Sequence, residues 1–81
     1  MMLRSFFVRP RAVRLFNLTN EHLNRGDYVK ALNSAGESLT LAREIKDRQL
    51  EGWILRAIGD VYLAAGDPEG AFDYFKQSLA M

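Results

Sequence analysis

The side chains able to do chemistry in this chain are few, and they do not converge on a reaction. There is one histidine, His22, and there is no cysteine. A nucleophile and base pair of the Ser–His or Cys–His kind therefore has one candidate base and no thiol. His22 sits in a run with helical spacing, with no serine in a strained elbow to partner it, and reads as a packed or half-buried histidine. The acids are scattered over expected turns and outer faces, so neither a catalytic pair nor a metal-ligand set is predicted. One stretch does gather useful groups. Gln49, Trp53, Arg56 and Asp60 are spaced four, three and four residues apart, which puts an amide, an indole, a guanidinium and a carboxylate on one helix face. Such a face recognises ligands. As a solvated surface it would hold an Arg56–Asp60 pair worth only about a few tenths of a kcal/mol.

The elements that position this face are helical. Leu55, Ile58, Gly59 and Tyr62 form an apolar line at helical spacing, Gly66-Asp67-Pro68 breaks it, and Ala71, Phe72, Phe75 and Leu79 begin another. Gly66 can take the left-handed conformation that closes a helix, Asp67 can cap the next one, and Pro68 suits a first turn. The same grammar occurs 40 residues earlier: Gly26-Asp27 falls against Gly66-Asp67, Ala31 against Ala71, Leu32 against Phe72, and Ser38-Leu39 against Ser78-Leu79. The expected fold is all-α: two tandem antiparallel helical hairpins, four main helices and a short N-terminal arm. The first helix is predicted over about Arg11 to Asn24, with Leu15, Leu18 and Leu23 apolar. Asp27 caps a second that runs to about Ile45, where Gly36 implies a crossing backbone or a slight bend. Asp47 caps a third over about Arg48 to Ala65, with a seam of Leu50, Leu55, Ile58 and Tyr62. The fourth, about Pro68 to Ala80, buries Ala71, Phe72, Phe75 and Leu79, and leaves Tyr74 and Leu79 to Met81 on an outer apolar side.

The run Leu55-x2-Ile58-Gly59-x2-Tyr62, with Gly66-Asp67, Ala71, Phe75 and the small Ser78, resembles the tetratricopeptide repeat, with Leu55 where the pattern usually has Trp. The first repeat departs further, carrying Thr19 against Gly59 and His22 against Tyr62. The usual repeat is about 34 residues, so the longer spacing resembles the long-helix variety of cell-polarity adaptors, kinesin light chains and bacterial peptide-sensing regulators. The resemblance implies a non-catalytic binding scaffold without cofactor. Its concave face, lined by the first helix of each hairpin, would hold Phe16, Asn17, Asn20 and Asn24 from the first repeat and Trp53, Arg56 and Asp60 from the second. Asparagine amides there can bond an extended backbone, Arg56 can hold a carboxylate, and Trp53 offers an apolar platform.

Composition bounds the rest. A chain of 81 residues buries only about 60–65% of its unfolded surface, and no cysteine or His cluster is present to staple the core. Lack of cysteine fits the cytosol, the expected location, with mitochondria as the alternative. A hydrophobic content of 48% and a net charge of +1 exclude wholesale disorder and a nucleic-acid binder driven by bulk charge. No apolar run approaches the roughly 18 residues of a membrane span. Charge is uneven, however: residues 1–20 hold Arg4, Arg9, Arg11 and Arg14 and no acid. The expected organisation is an arm over 1–10 and repeats over 11–46 and 47–81, with Pro10 stopping a helix or starting the next one. The arm can be read as a helix or strap on the first repeat, as a mitochondrial presequence, or as a basic contact for anionic lipid or nucleic acid.

Two repeats are fewer than the three or so such arrays usually need. The missing surface is expected from self-association, a two-fold dimer being the default, from the N-terminal arm, from a partner protein or peptide, or from a longer parent of which these repeats are a part.

Overall fold

In a computed structural model that describes residues 2–81, the chain forms α1 (Met2–Asn24), α2 (Tyr28–Glu44), α3 (Arg48–Ala64) and α4 (Pro68–Leu79). Met1 lies outside the described residues. α1 pairs with α2 and α3 with α4, α2 joins the two pairs, and α1 touches α3 over a smaller area. The Cα atoms span 40 × 27 × 13 Å, a thin slab in which every helix keeps a face toward solvent.

Three turns of one kind connect the helices at 20-residue intervals. Each ends a helix on a left-handed residue, Gly26 (φ 75°), Lys46 (φ 56°) or Gly66 (φ 89°). The aspartate that follows donates its amide back to a carbonyl five residues earlier: Asp27 to His22 at 2.9 Å, Asp47 to Ala42 at 3.0 Å, Asp67 to Tyr62 at 2.8 Å. This is the hydrogen-bond pattern of a Schellman close. The same aspartate caps the next helix, its Oδ1 accepting the amide of Lys30, Leu50 or Gly70 at 3.0–3.1 Å, the three-residue reach of an N-cap.

Inside the pairs, small residues let the backbones approach. Ala12, Ala35, Ala42, Leu50, Ile54 and Ile58 form one buried cluster, with Val13, Phe16, Leu32, Leu39, Leu41, Tyr62 and Tyr74 packed around it. Thr19 is fully buried and shares a 2.9 Å hydrogen bond with Ser34, and the hydroxyl that accepts in this bond is placed to donate to a carbonyl of its own helix, Leu15 for Thr19 or Lys30 for Ser34. Its counterpart Gly59 makes room for a ring: a methyl group there would fall 2.5 Å from Cε1 of Phe75. Thr19 with Ala35 and Gly59 with Phe75 are two ways of filling the same space. His22 is half-buried in α1.

Four expectations are corrected. Pro10 neither stops nor starts a helix; it lies inside α1, so residues 2–10 continue the first helix instead of forming an arm. The missing Pro10 N–H removes one helical bond, but the turns that precede it are tied sideways, Arg4 to Glu44 at 3.0 Å and Arg9 to Asp47 at 2.8 Å. Gly36 meets no crossing backbone: nothing lies within 4 Å of where its Cβ would be. In α4 the buried line is Ala71, Tyr74, Phe75 and Ser78, while Phe72 and Leu79 are exposed. Tyr74 accordingly points inward and stacks on Tyr62 with ring centroids 5.2 Å apart. Burial, and then Tyr62 beside it, pushes the Tyr74 phenol above its usual range.

Candidate functional site: the groove between α1 and α3

The first helices of the two pairs lie side by side, and the line of α1 residues at spacings of three and four that includes Val13, Phe16 and Asn20 faces the line Trp53, Arg56 and Asp60 of α3. Phe16, Asn20, Trp53, Arg56, Ala57 and Asp60 enclose a shallow groove of about 250 Å³. Five of the seven residues expected on the concave face are thus brought together. Asn17 and Asn24 are not: both are exposed on α1 but do not line this groove.

The groove has an apolar floor and polar lips. Ala57 is buried beneath it, and Trp53 stands beside Phe16 with about half its surface open (47%). Trp53 is also a ridge, because a second depression of about 370 Å³ lies on its other side, lined by Arg48, Gln49, Gly52, Ser78 and Met81. Among the described residues neither Arg56 nor Asp60 enters an ion pair. Their charges are free for a ligand, and the intrahelical pair of the solvated-face reading is not made.

Upstream, the α1 line runs on through Arg9 and Phe6 into a wide apolar trough of about 820 Å³ lined by Ser5, Phe6, Phe7, Arg9, Pro10 and Val13. Treating Pro10 as a helix boundary hid this end of the groove; extending the three-and-four spacing from Asn20 back through Phe16, Val13 and Arg9 to Phe6 recovers it. Arg9 is held in place by Asp47. Burial pushes the Asp47 carboxyl up, but the Leu50 amide and the Arg9 guanidinium outweigh it and hold the group below the usual carboxylate range.

Among the described residues no three His, Cys, Asp or Glu side chains converge as a metal-ligand set, and no described helix is long and apolar enough to cross a membrane. What the groove can do is grip: aromatic plates for apolar side chains, an amide that donates and accepts, one free cation and one free anion within a helical turn of each other.

Two helix pairs of one design, the second repeating the first's turns and bonds 40 residues on, define an α-helical repeat protein with a groove across its first helices. The family model for the tetratricopeptide repeat matches residues 20–81, and the chain belongs to that family, whose members serve as protein–protein interaction scaffolds. No curated protein and no solved structure matches it.

Proposed function

We propose that this chain is a non-catalytic interaction module that holds a segment of another protein, as an extended peptide or a helix, in the groove between α1 and α3. The observation that carries the reading is the pairing of exposed Trp53 and Phe16 with Asn20, Arg56 and Asp60 around one groove in which neither charge has an ion-pair partner among the described residues. A short peptide with an apolar side chain for the Trp53–Phe16 plates, a carboxylate for Arg56, a basic side chain for Asp60 and main-chain groups for Asn20 satisfies all of these groups. An anionic surface is the weaker alternative, because two of the four N-terminal arginines, Arg4 and Arg9, are already engaged with Glu44 and Asp47.

Peptides selected from a random library for binding the chain test the reading. Trp53→Ala and Arg56→Ala are each expected to weaken the selected peptides about tenfold or more with helicity unchanged, the loss seen for anchor residues at an interface. Peptides bound equally well by both variants would remove the groove from the proposal.

A further inference from the structure

The two outer faces of the molecule are unlike each other, and the internal repeat says what each is built for. In α3, Leu50, Ile54, Ala57, Ile58 and Val61 are all buried, and Leu50, Ile54 and Ile58 sit in the cluster shared with α2. Their counterparts in α1 are Pro10, Arg14, Asn17, Leu18 and Glu21, all exposed. Four of these five are proline or polar, so α1 presents a solvent-compatible surface where α3 presents a docking one.

The other end differs. The stripe of α2 that packs toward α3 includes Leu32 and Leu39; its counterpart in α4 is Phe72 and Leu79, which keep their apolar character yet are 58% and 88% exposed. Lys76 lies 5.0 Å over the Phe72 ring and leaves Leu79 uncovered. Forty residues earlier the same stripe is covered by a helix, and that helix is known in detail: it presents Leu50, Ile54 and Ile58 along one line and runs antiparallel to the helix it covers.

We propose that the exposed face of α4 is a docking site for an amphipathic helix of another protein chain that carries aliphatic residues at the spacing of Leu50, Ile54 and Ile58. A second copy stacked head to tail does not meet the requirement. It would bring Arg14 and Glu21 to the places where Ile54 and Val61 are fully buried, putting two charges into an apolar seam. The site is separate from the groove between α1 and α3, so failure of either proposal leaves the other standing.

The test uses the full chain and a labelled synthetic peptide with the sequence of residues 47–65, followed by fluorescence anisotropy. Saturable binding is expected, weakened at least tenfold by Phe72→Asp and by Leu79→Asp, which alter exposed side chains only. A peptide carrying Ile54→Asp and Ile58→Asp, tested on the unaltered chain, is expected not to bind, and neither is a peptide of residues 7–25. No binding by the 47–65 peptide overturns the proposal. Binding indifferent to Phe72→Asp and Leu79→Asp also overturns it, because the peptide is then displacing α3 from the interior. So does equal binding by the 7–25 peptide. A concentration-dependent dimer of the chain alone, lost in Leu79→Asp on sedimentation, gives the face to a second copy and overturns it as well.

Discussion

Ser78 donates its hydroxyl to the backbone carbonyl of Gly52 at 2.8 Å. Forty residues earlier Ser38 makes the same bond to Ala12 at 2.7 Å. In each pair a serine on the second helix reaches the main chain of the first, which is possible only because the acceptor residue carries one carbon or none as its side chain. The repeat is therefore expressed at the level of single hydrogen bonds, and the crossing point of each pair is fixed by a polar tether embedded among apolar contacts.

The two tethers differ in burial, and their removal should differ in effect. Ser38 is fully buried, whereas Ser78 is half-buried near the end of α4. Ser38→Ala is expected to cost about 1–1.5 kcal/mol and Ser78→Ala about 0.5 kcal/mol, the span of a net intramolecular hydrogen bond. Urea unfolding midpoints of the two variants give the order directly; an equal or reversed order would show that the tethers do not carry the difference.

Gly59 and Phe75 should behave as one unit. Gly59→Ala gains about 1 kcal/mol of helix propensity, but its methyl group enters the space of the Phe75 ring, and overpacking costs roughly 1–3 kcal/mol. A net loss of up to about 2 kcal/mol is expected. In Gly59→Ala/Phe75→Ala the methyl occupies part of the vacated volume, so the double variant should be more stable than the sum of the singles by about 1 kcal/mol. Strict additivity would place the ring and the glycine out of contact.

These pairs also show where the sequence was legible. Gly26-Asp27, Asp47 and Gly66-Asp67 were sufficient to place all three turns, because left-handed closes and aspartate caps are local chemistry written in adjacent residues. The α1 and α4 errors were not local. Where α1 continues through Pro10, Arg4 and Arg9 reach Glu44 and Asp47, partners about 40 residues away that the local sequence does not reveal. Which α4 face is buried depends on a rotation of a single residue position, from the Phe72–Leu79 line to the Tyr74–Ser78 line, and both lines are apolar enough to serve. In the groove, Trp53, Arg56 and Asp60 were visible from spacing on α3 alone. Asn17 and Asn24 were not separable from Phe16 and Asn20 until the angle between α1 and α3 was set.

The missing side chain of Gly36 serves no contact, which makes it a site for gain. It is exposed within α2, and a Cβ there meets nothing within 4 Å. Gly36→Ala should stabilise the chain by about 1 kcal/mol through helix propensity alone, seen as a rise in thermal midpoint of several degrees for a domain of this size. An unchanged midpoint would mean that the flexibility of Gly36 is used by the native state.

Lys46 carries the opposite imbalance. It is the one non-glycine residue with positive φ among the described residues, occupying the turn position filled by Gly26 and Gly66 in the other two turns. An L-residue in the left-handed region costs roughly 1–2 kcal/mol, and glycine returns part of this through its larger unfolded-state entropy, about 0.5–1 kcal/mol. Lys46→Gly is expected to stabilise by about 0.5–1 kcal/mol, whereas Gly26→Lys or Gly66→Lys should destabilise by a similar amount. Chemical unfolding of the three variants side by side checks the sign at each turn.

Asp47 links stability to pH through the same turn. Its carboxyl accepts the Leu50 amide and pairs with Arg9, and its folded-state pKa lies below the usual value. A depressed carboxylate contributes stability that is fully present above its unfolded pKa of about 4, and that contribution is lost as pH falls through the folded value. Asp47→Asn keeps an N-cap acceptor but removes the charge opposite Arg9, so it should be less stable than the parent at pH 7. The gap should close on acidification, because below the folded pKa the parent's carboxyl is neutral too. Arg9→Ala should shrink the same pH-dependent component by raising the Asp47 pKa toward its unfolded value, while leaving the cap to Leu50 intact. Urea midpoints for the three chains between pH 7 and pH 3 measure this; a parent–Asp47→Asn gap constant over that range would mean that Arg9 and Asp47 meet without coupling their charges, and that packing and the Arg4–Glu44 pair hold this end of α1.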